Sequence, residues 1–200
     1  IQGRLDKLIL DRSTGTLYWT NQLTGVIGSI KIDGTEMNPK AVSGVNTPRA
    51  IMIDEDQQIL YWSASKRKSG STMYEGVIRS ALVSELPLEP TDNAPTPGKQ
   101  VTSLGEEQFA VSMVLSPTDE KMLWIQAEIH PQGYIGHHSR IPYHSHHLIL
   151  ANVDGTDSED LRVAGIDLAD SLVLDEKGNQ LFWSQSSSFR HDVYITMNAP

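Results

Sequence analysis

The stretch TGTLYWTNQLTGVIGSIKIDG, residues 14–34, decides the fold, because much of it is said again in QQILYWSASKRKSGSTMYEGVIRSALVS. The echo extends along the whole chain. Leu17-Tyr18-Trp19-Thr20 recurs as Leu60-Tyr61-Trp62-Ser63, as Met122-Leu123-Trp124-Ile125 and as Leu181-Phe182-Trp183-Ser184. Upstream of each tryptophan, at one fixed offset, stand Asp11, Asp54, Ser116 and Asp175, preceded by Leu10, Ile53, Leu115 and Leu174. Turn-rich pieces (RSTG, EDQQ, PTDE, EKGN) separate the two anchors, so a strand, a tight turn and a second strand recur in register.

The downstream half repeats as well. GVIGSIKIDGT from Gly25 aligns with GVIRSALVS from Gly76, HLILANVDGT from His147 and DVYITMNAP from Asp192. Val26, Gly28, Ile30 and Ile32 fall on one face, with Ser29, Lys31 and Asp33 on the other, the period of a strand buried on one side. Asp-Gly-Thr then reads as a turn, and KAVSG or LRVAG as a short outer strand. The expected unit is a four-stranded antiparallel meander of about 40 residues. Two apolar faces and no partner force such a sheet to stack on copies of itself. Stacking around an axis makes a β-propeller.

The Leu-Tyr-Trp-Thr and Leu-Tyr-Trp-Ser stretches with their upstream Asp resemble YWTD repeats, the class B repeats of low-density lipoprotein receptors. The resemblance covers nearly the whole chain as four units and is degraded in the third. It implies an all-β propeller, usually six-bladed, that serves as a ligand-binding or pH-responsive interaction surface. The family's Asp after the motif is replaced by Asn21, Ala64, Ala127 and Gln185, so bonding between blades should take another route. The chain reads as one domain, 1–200, with repeats at about 5–43, 49–103, 109–164 and 168–200. It is either a closed ring of about four blades or part of a larger ring. In the latter case it is a fragment of a longer propeller, or a second chain or self-association completes the ring. The last blade lacks an outer strand unless the initial IQGR supplies one.

Composition narrows the partners. A net charge of −9 argues against nucleic acid, and no apolar run is long enough for a membrane span. The absence of cysteine removes disulfides, thiolate nucleophiles and Cys-based zinc sites. With no visible signal peptide and no Asn-x-Ser/Thr acceptor, this leans towards a cytoplasmic setting and leaves localisation open.

Two enlarged loops, ASKRKSGSTMYEG and AEIHPQGYIGHHSRIPYHSHH, should emerge side by side on one face. The second holds six of the seven histidines. Ligand-binding candidates are His130, Tyr134, His137, His138 and His147, with Lys66 and Arg67 from the first loop. His144 and His146 share a strand face, and with Tyr143 and Arg140 they are candidates for orienting a substrate or shuttling protons. The same two histidines are weak metal candidates, but no fixed ligand spacing supports them, so neither metal nor cofactor is expected. The aspartates that precede the tight turns read as turn residues and the tryptophans as core. The proline-rich ELPLEPTDNAPTPGK reads as an extended spacer on the opposite face.

The function expected is therefore a binding propeller that recognises a protein or a small organic ligand at the loop-bearing face. The alternative is a biosynthetic lyase, isomerase or cyclase with its pocket in the propeller funnel under the His-rich loop. Sequence leaves the choice between enzyme and binding module open.

Overall fold

The computed structural model describes residues 5–67, 74–130, 143–166, 169–175, 177, 180–186 and 191–198. For Lys66, Arg67, Pro117, Ile129, His130, Tyr143, His144, Ser186 and residues 191–198 it describes the backbone alone. The first sheet orders β1 (Leu8–Asp11), β2 (Thr16–Asn21), β3 (Val26–Lys31) and β4 (Asn38–Val42) as a simple meander. The second orders β5 (Ile51–Asp54), β6 (Ile59–Arg67), β7 (Tyr74–Leu82) and β8 (Lys99–Glu106). The third runs from β9 (Gln108–Ser116) through β10 (Lys121–His130) and β11 (Tyr143–Asn152) to β12 (Glu159–Asp160). The fourth has three strands among the described residues, β13 (Ala169–Asp175), β14 (Gln180–Ser186) and β15 (His191–Asn198).

Each meander starts with the turn that the upstream polar residue makes. Asp11 is buried, and its carboxylate accepts the backbone N–H of Ser13 at 3.0 Å and hydroxyls from Ser13 and Thr14 at 2.7 and 2.6 Å. Asp54 accepts the N–H groups of Asp56 and Gln57, and Asp175 that of Lys177. In the third blade the carboxylate moves along the turn: Ser116 donates its hydroxyl to Asp119 at 2.9 Å. These are local side-chain to backbone bonds of the kind that favour Asp before a tight turn.

The register places every repeat tryptophan opposite an equivalent inner-strand residue: Leu8 with Trp19, Ile51 with Trp62, Met113 with Trp124, Leu172 with Trp183. It also corrects the motif alignment. Gln126, not Ala127, stands two residues after Trp124, pairing with His147 as Asn21 pairs with Val26. One sheet face of each blade looks back and the other forward. Ile27, on the face opposite Gly28, is fully buried in the joint with the second blade. The one-sided burial expected of this strand is therefore wrong, because stacking covers the second face.

Three apolar clusters form the joints. The first packs Tyr18, Ile27 and Val42 against Ile51, Leu60 and Trp62. The second packs Met52, Tyr61 and Ile78 against Met113, Met122 and Trp124. The third packs Leu123, Ile125 and Leu148 against Leu172, Leu181 and Trp183. Each fully buried side chain of this size is worth about 2 kcal/mol, so the joints hold the array together. Two glycines make room for the large indoles. A Cβ on Gly28 would lie 2.2 Å from the Trp19 ring, and one on Gly98 would lie 2.5 Å from Trp62. Gly98 also has φ +76°, a backbone that side chains resist.

Hydroxyls tie the blades. Thr20 accepts from Lys7 N–H and donates to Arg49 C=O, both at 3.1 Å. Ser63 accepts from Ala50 N–H at 2.8 Å and donates to Ala110 C=O at 3.0 Å. Ile125 fills this position in the third blade and has no hydroxyl. There its inner-strand partner Ser112 accepts from Leu172 N–H at 3.0 Å instead.

The proline-rich stretch is more than a spacer. Leu88 forms a parallel bridge with Val42, donating to Ala41 C=O and accepting from Ser43 N–H at 2.9 Å each. Val83, Leu86 and Leu88 pack on the first joint. The segment straps the second blade to the outer edge of the first and covers an open strand edge. Arg79 holds its far end, donating from Nε to Pro97 C=O at 2.7 Å and from Nη2 to the carbonyls of Thr96 and Gly98.

Candidate functional site

The two enlarged loops are largely strand. β6 and β7 continue their pairing to Arg67 and Tyr74, and β10 and β11 continue to His130 and Tyr143. The loops expected at 64–76 and 127–147 therefore shrink, and long hairpin arms replace them. The reason is register: once Trp62 or Trp124 is seated, the ladder runs on, and in the first arm it continues through the Ser65–Gly76 pair to Tyr74.

The link between β8 and β9 connects the outer described ends of the two arms. Tyr74 N–H donates to the Glu107 carboxylate at 3.0 Å, and Glu107 N–H donates to Tyr74 C=O at 2.8 Å. The next residue, Gln108, pairs with Glu128 on β10. Its amide oxygen accepts from Gln126 Nε2 at 3.0 Å, and Gln126 in turn accepts from Trp124 Nε1 at 3.1 Å. Gly76 passes so close to this segment that a Cβ there would lie 1.9 Å from Gln108 O. At the neighbouring strand start, the Arg49 guanidinium lies 4.1 Å from the centroid of the Phe109 ring.

The histidines divide along the strand. His144 pairs with Ile129 and His146 with Ala127, so they alternate with His147, which pairs with Gln126. His146 is half-buried. His147 Nδ1 lies 2.9 Å from the Asp160 carboxylate on β12. Burial would push the Asp160 carboxyl up. The Arg162 N–H at 2.8 Å and His147 outweigh it and hold the carboxyl below its ordinary value. His130 pairs with Tyr143, and Lys66 and Arg67 pair with Glu75 and Tyr74, where enlarged loops were expected. Tyr134, His137, His138 and Arg140 lie outside the described residues. Among the described residues no group of three or more His, Asp or Glu side chains is placed to hold a metal ion.

A cavity of about 690 Å³ lies elsewhere, on the axis. The inner strands of all four blades line it: Leu8–Leu10, Ile51–Ile53, Ser112–Leu115 and Ser171–Asp175. Arg12, Glu55, Asp56 and Lys177 stand at the end formed by the first turns, and Lys7 at the other end. Lys7 Nζ reaches from the first blade to the fourth, donating to Asp170 C=O at 2.7 Å and lying 3.4 Å from its carboxylate. None of the described arm residues lines this cavity. The sequence reading placed a funnel pocket under the His-rich loop and named none of the inner-strand residues that line this one. A signal was present in the charged turns Arg12, Glu55-Asp56 and Lys177, which recur at one place in the repeat.

Four equivalent antiparallel meanders packed face to face around an axial cavity define a β-propeller. The resemblance to YWTD repeats is borne out: residues 15–55 match the low-density lipoprotein receptor repeat class B. Among solved structures the chain resembles the nidogen propeller of a nidogen/laminin complex, with TM-score 0.64 and 17% identity over 95% of this chain and 60% of that one. It also resembles a protein assigned as TolB from Agrobacterium tumefaciens, with TM-score 0.60 and 11% identity over 98% of this chain and 58% of that one. The chain thus spans less than two thirds of either neighbour. No curated protein matches it. No helix among the described residues is long and apolar enough to cross a membrane.

Proposed function

We propose that this chain is an interaction module that grips a protein partner at the face carrying the β6–β7 and β10–β11 arms. The observation that carries the reading is that the β8–β9 link, Glu107 and Gln108, ties the outer end of the first described arm at Tyr74 to Glu128 near the outer end of the second. It sets two extended hairpins side by side on a rigid stack, a platform suited to adaptable contacts. The likeness to the nidogen propeller, seen in a complex with laminin, supports the same reading by fold.

The test replaces residues 68–73 and 131–142 by short Gly-Ser turns and compares both forms as immobilised bait, with bound proteins identified by mass spectrometry. Binding partners of the full chain should be lost from the trimmed form while its melting temperature holds. An unchanged set of partners would refute the proposal.

A further inference from the structure

At the repeat position opposite the tryptophan, Ile51, Met113 and Leu172 are each 5% exposed, but Leu8 is 57% exposed. At the next inner-strand position Met52 is 2% exposed and Val173 is 61%. The apolar joints link blades one to two, two to three and three to four. Among the described residues no such cluster links four to one, where Lys7 and Asp170 make the bridge. Leu8 and Val173 both line the axial cavity. Repeat logic built these side chains for burial, and the seam turns them onto the cavity wall.

We infer that this cavity is a binding site for an elongated, uncharged, apolar small molecule. The volume of about 690 Å³ lies within the usual range of small-molecule sites. Leu8, Leu10, Leu115 and Val173 supply an apolar wall between two charged ends, so an apolar body gains by leaving water for them. The cavity runs the length of β1, from Lys7 to Arg12, which favours a long shape. Charge excludes an anionic head. Lys7 is already committed to Asp170, and Arg12 and Lys177 stand among Glu55, Asp56 and Asp175. Arg12 itself lies 3.9 Å from Glu55. The site is separate from the arm-bearing face and stands or falls without it.

The test uses N-phenyl-1-naphthylamine, a neutral apolar fluorophore, titrated into the full chain. Saturable, blue-shifted emission with one site per chain is the expected result. Leu8→Arg and Val173→Arg should each weaken binding by roughly tenfold or more by placing a charge in the wall. Leu23→Arg should leave it unchanged, because Leu23 is 78% exposed and does not line the cavity. Circular dichroism and melting check that each variant folds, and Leu8→Asn and Val173→Asn replace any arginine variant that does not. Non-saturable emission, or equal binding by all variants, overturns the inference. So does an assembly of chains that excludes the probe and that Leu8→Arg dissociates, because a blade of another copy would then be the occupant.

Discussion

The Ser63 hydroxyl donates to the Ala110 carbonyl at 3.0 Å, joining the second blade to the third while it accepts the Ala50 N–H of its own inner strand. Ser63 is buried, so no water replaces it when it is removed. Ser63→Ala should therefore leave a donor and an acceptor unmatched and lower stability by about 2 kcal/mol. Thr20→Val, which breaks the equivalent tie to Arg49, should cost about 1–2 kcal/mol. Chemical denaturation at constant pH reads both. A loss below a few tenths of a kilocalorie in each would show that apolar packing alone carries the joints.

Gly28→Ala tests the seating of the first indole. The new methyl would lie 2.2 Å from the Trp19 ring, so the ring must move from a buried position. A loss of about 1–3 kcal/mol is expected, together with a red shift of tryptophan emission. Unchanged melting and emission would mean that the ring relaxes freely.

Acid should attack the turns. Burial would raise the Asp11 carboxyl, but hydrogen bonds from Thr14, Ser13 and Gln58 outweigh it and hold the group below its ordinary value of 3.8. A depressed carboxylate contributes stability above its unfolded value and loses it as pH falls through the folded one. The parent should therefore weaken below about pH 4, and Asp11→Asn should be less stable at pH 7 with a shallower acid limb. Parallel acid limbs in denaturation curves of the two forms would assign the acid sensitivity to other groups.

The proline-rich strap makes a local prediction. Leu88→Pro removes the N–H that Ala41 C=O accepts, and freeing this segment should also expose Ser43 N–H. Hydrogen exchange at Ser43 should accelerate by about tenfold or more, while amides of β6 and β10 stay protected. Protection at Ser43 equal to the parent's would mean that the outer edge of the first blade holds without the strap.

The repeat itself was legible in the chain: the tryptophans, the turn aspartates and the meander follow from local patterns that each blade states for itself. Turn chemistry acts within two or three residues, as Asp11 with Ser13 and Thr14 shows, and strand alternation needs only the next side chain. The arms were misread as loops because register continues through a ladder irrespective of composition. The strap at Leu88 and the Arg79 clasp on Thr96–Gly98 were invisible because their partners are carbonyls, which no side-chain pattern announces.

What sequence alone determined is the blade, since its period and turns are local. What only the tertiary structure decided is which faces remain uncovered. Leu8 and Ile51 occupy the same repeat position with the same apolar character, and they differ solely in whether a neighbouring blade lies against them. Burial is a property of the stack: Ile51 is covered by a packed joint, while Leu8 stands at the joint that Lys7 and Asp170 bridge.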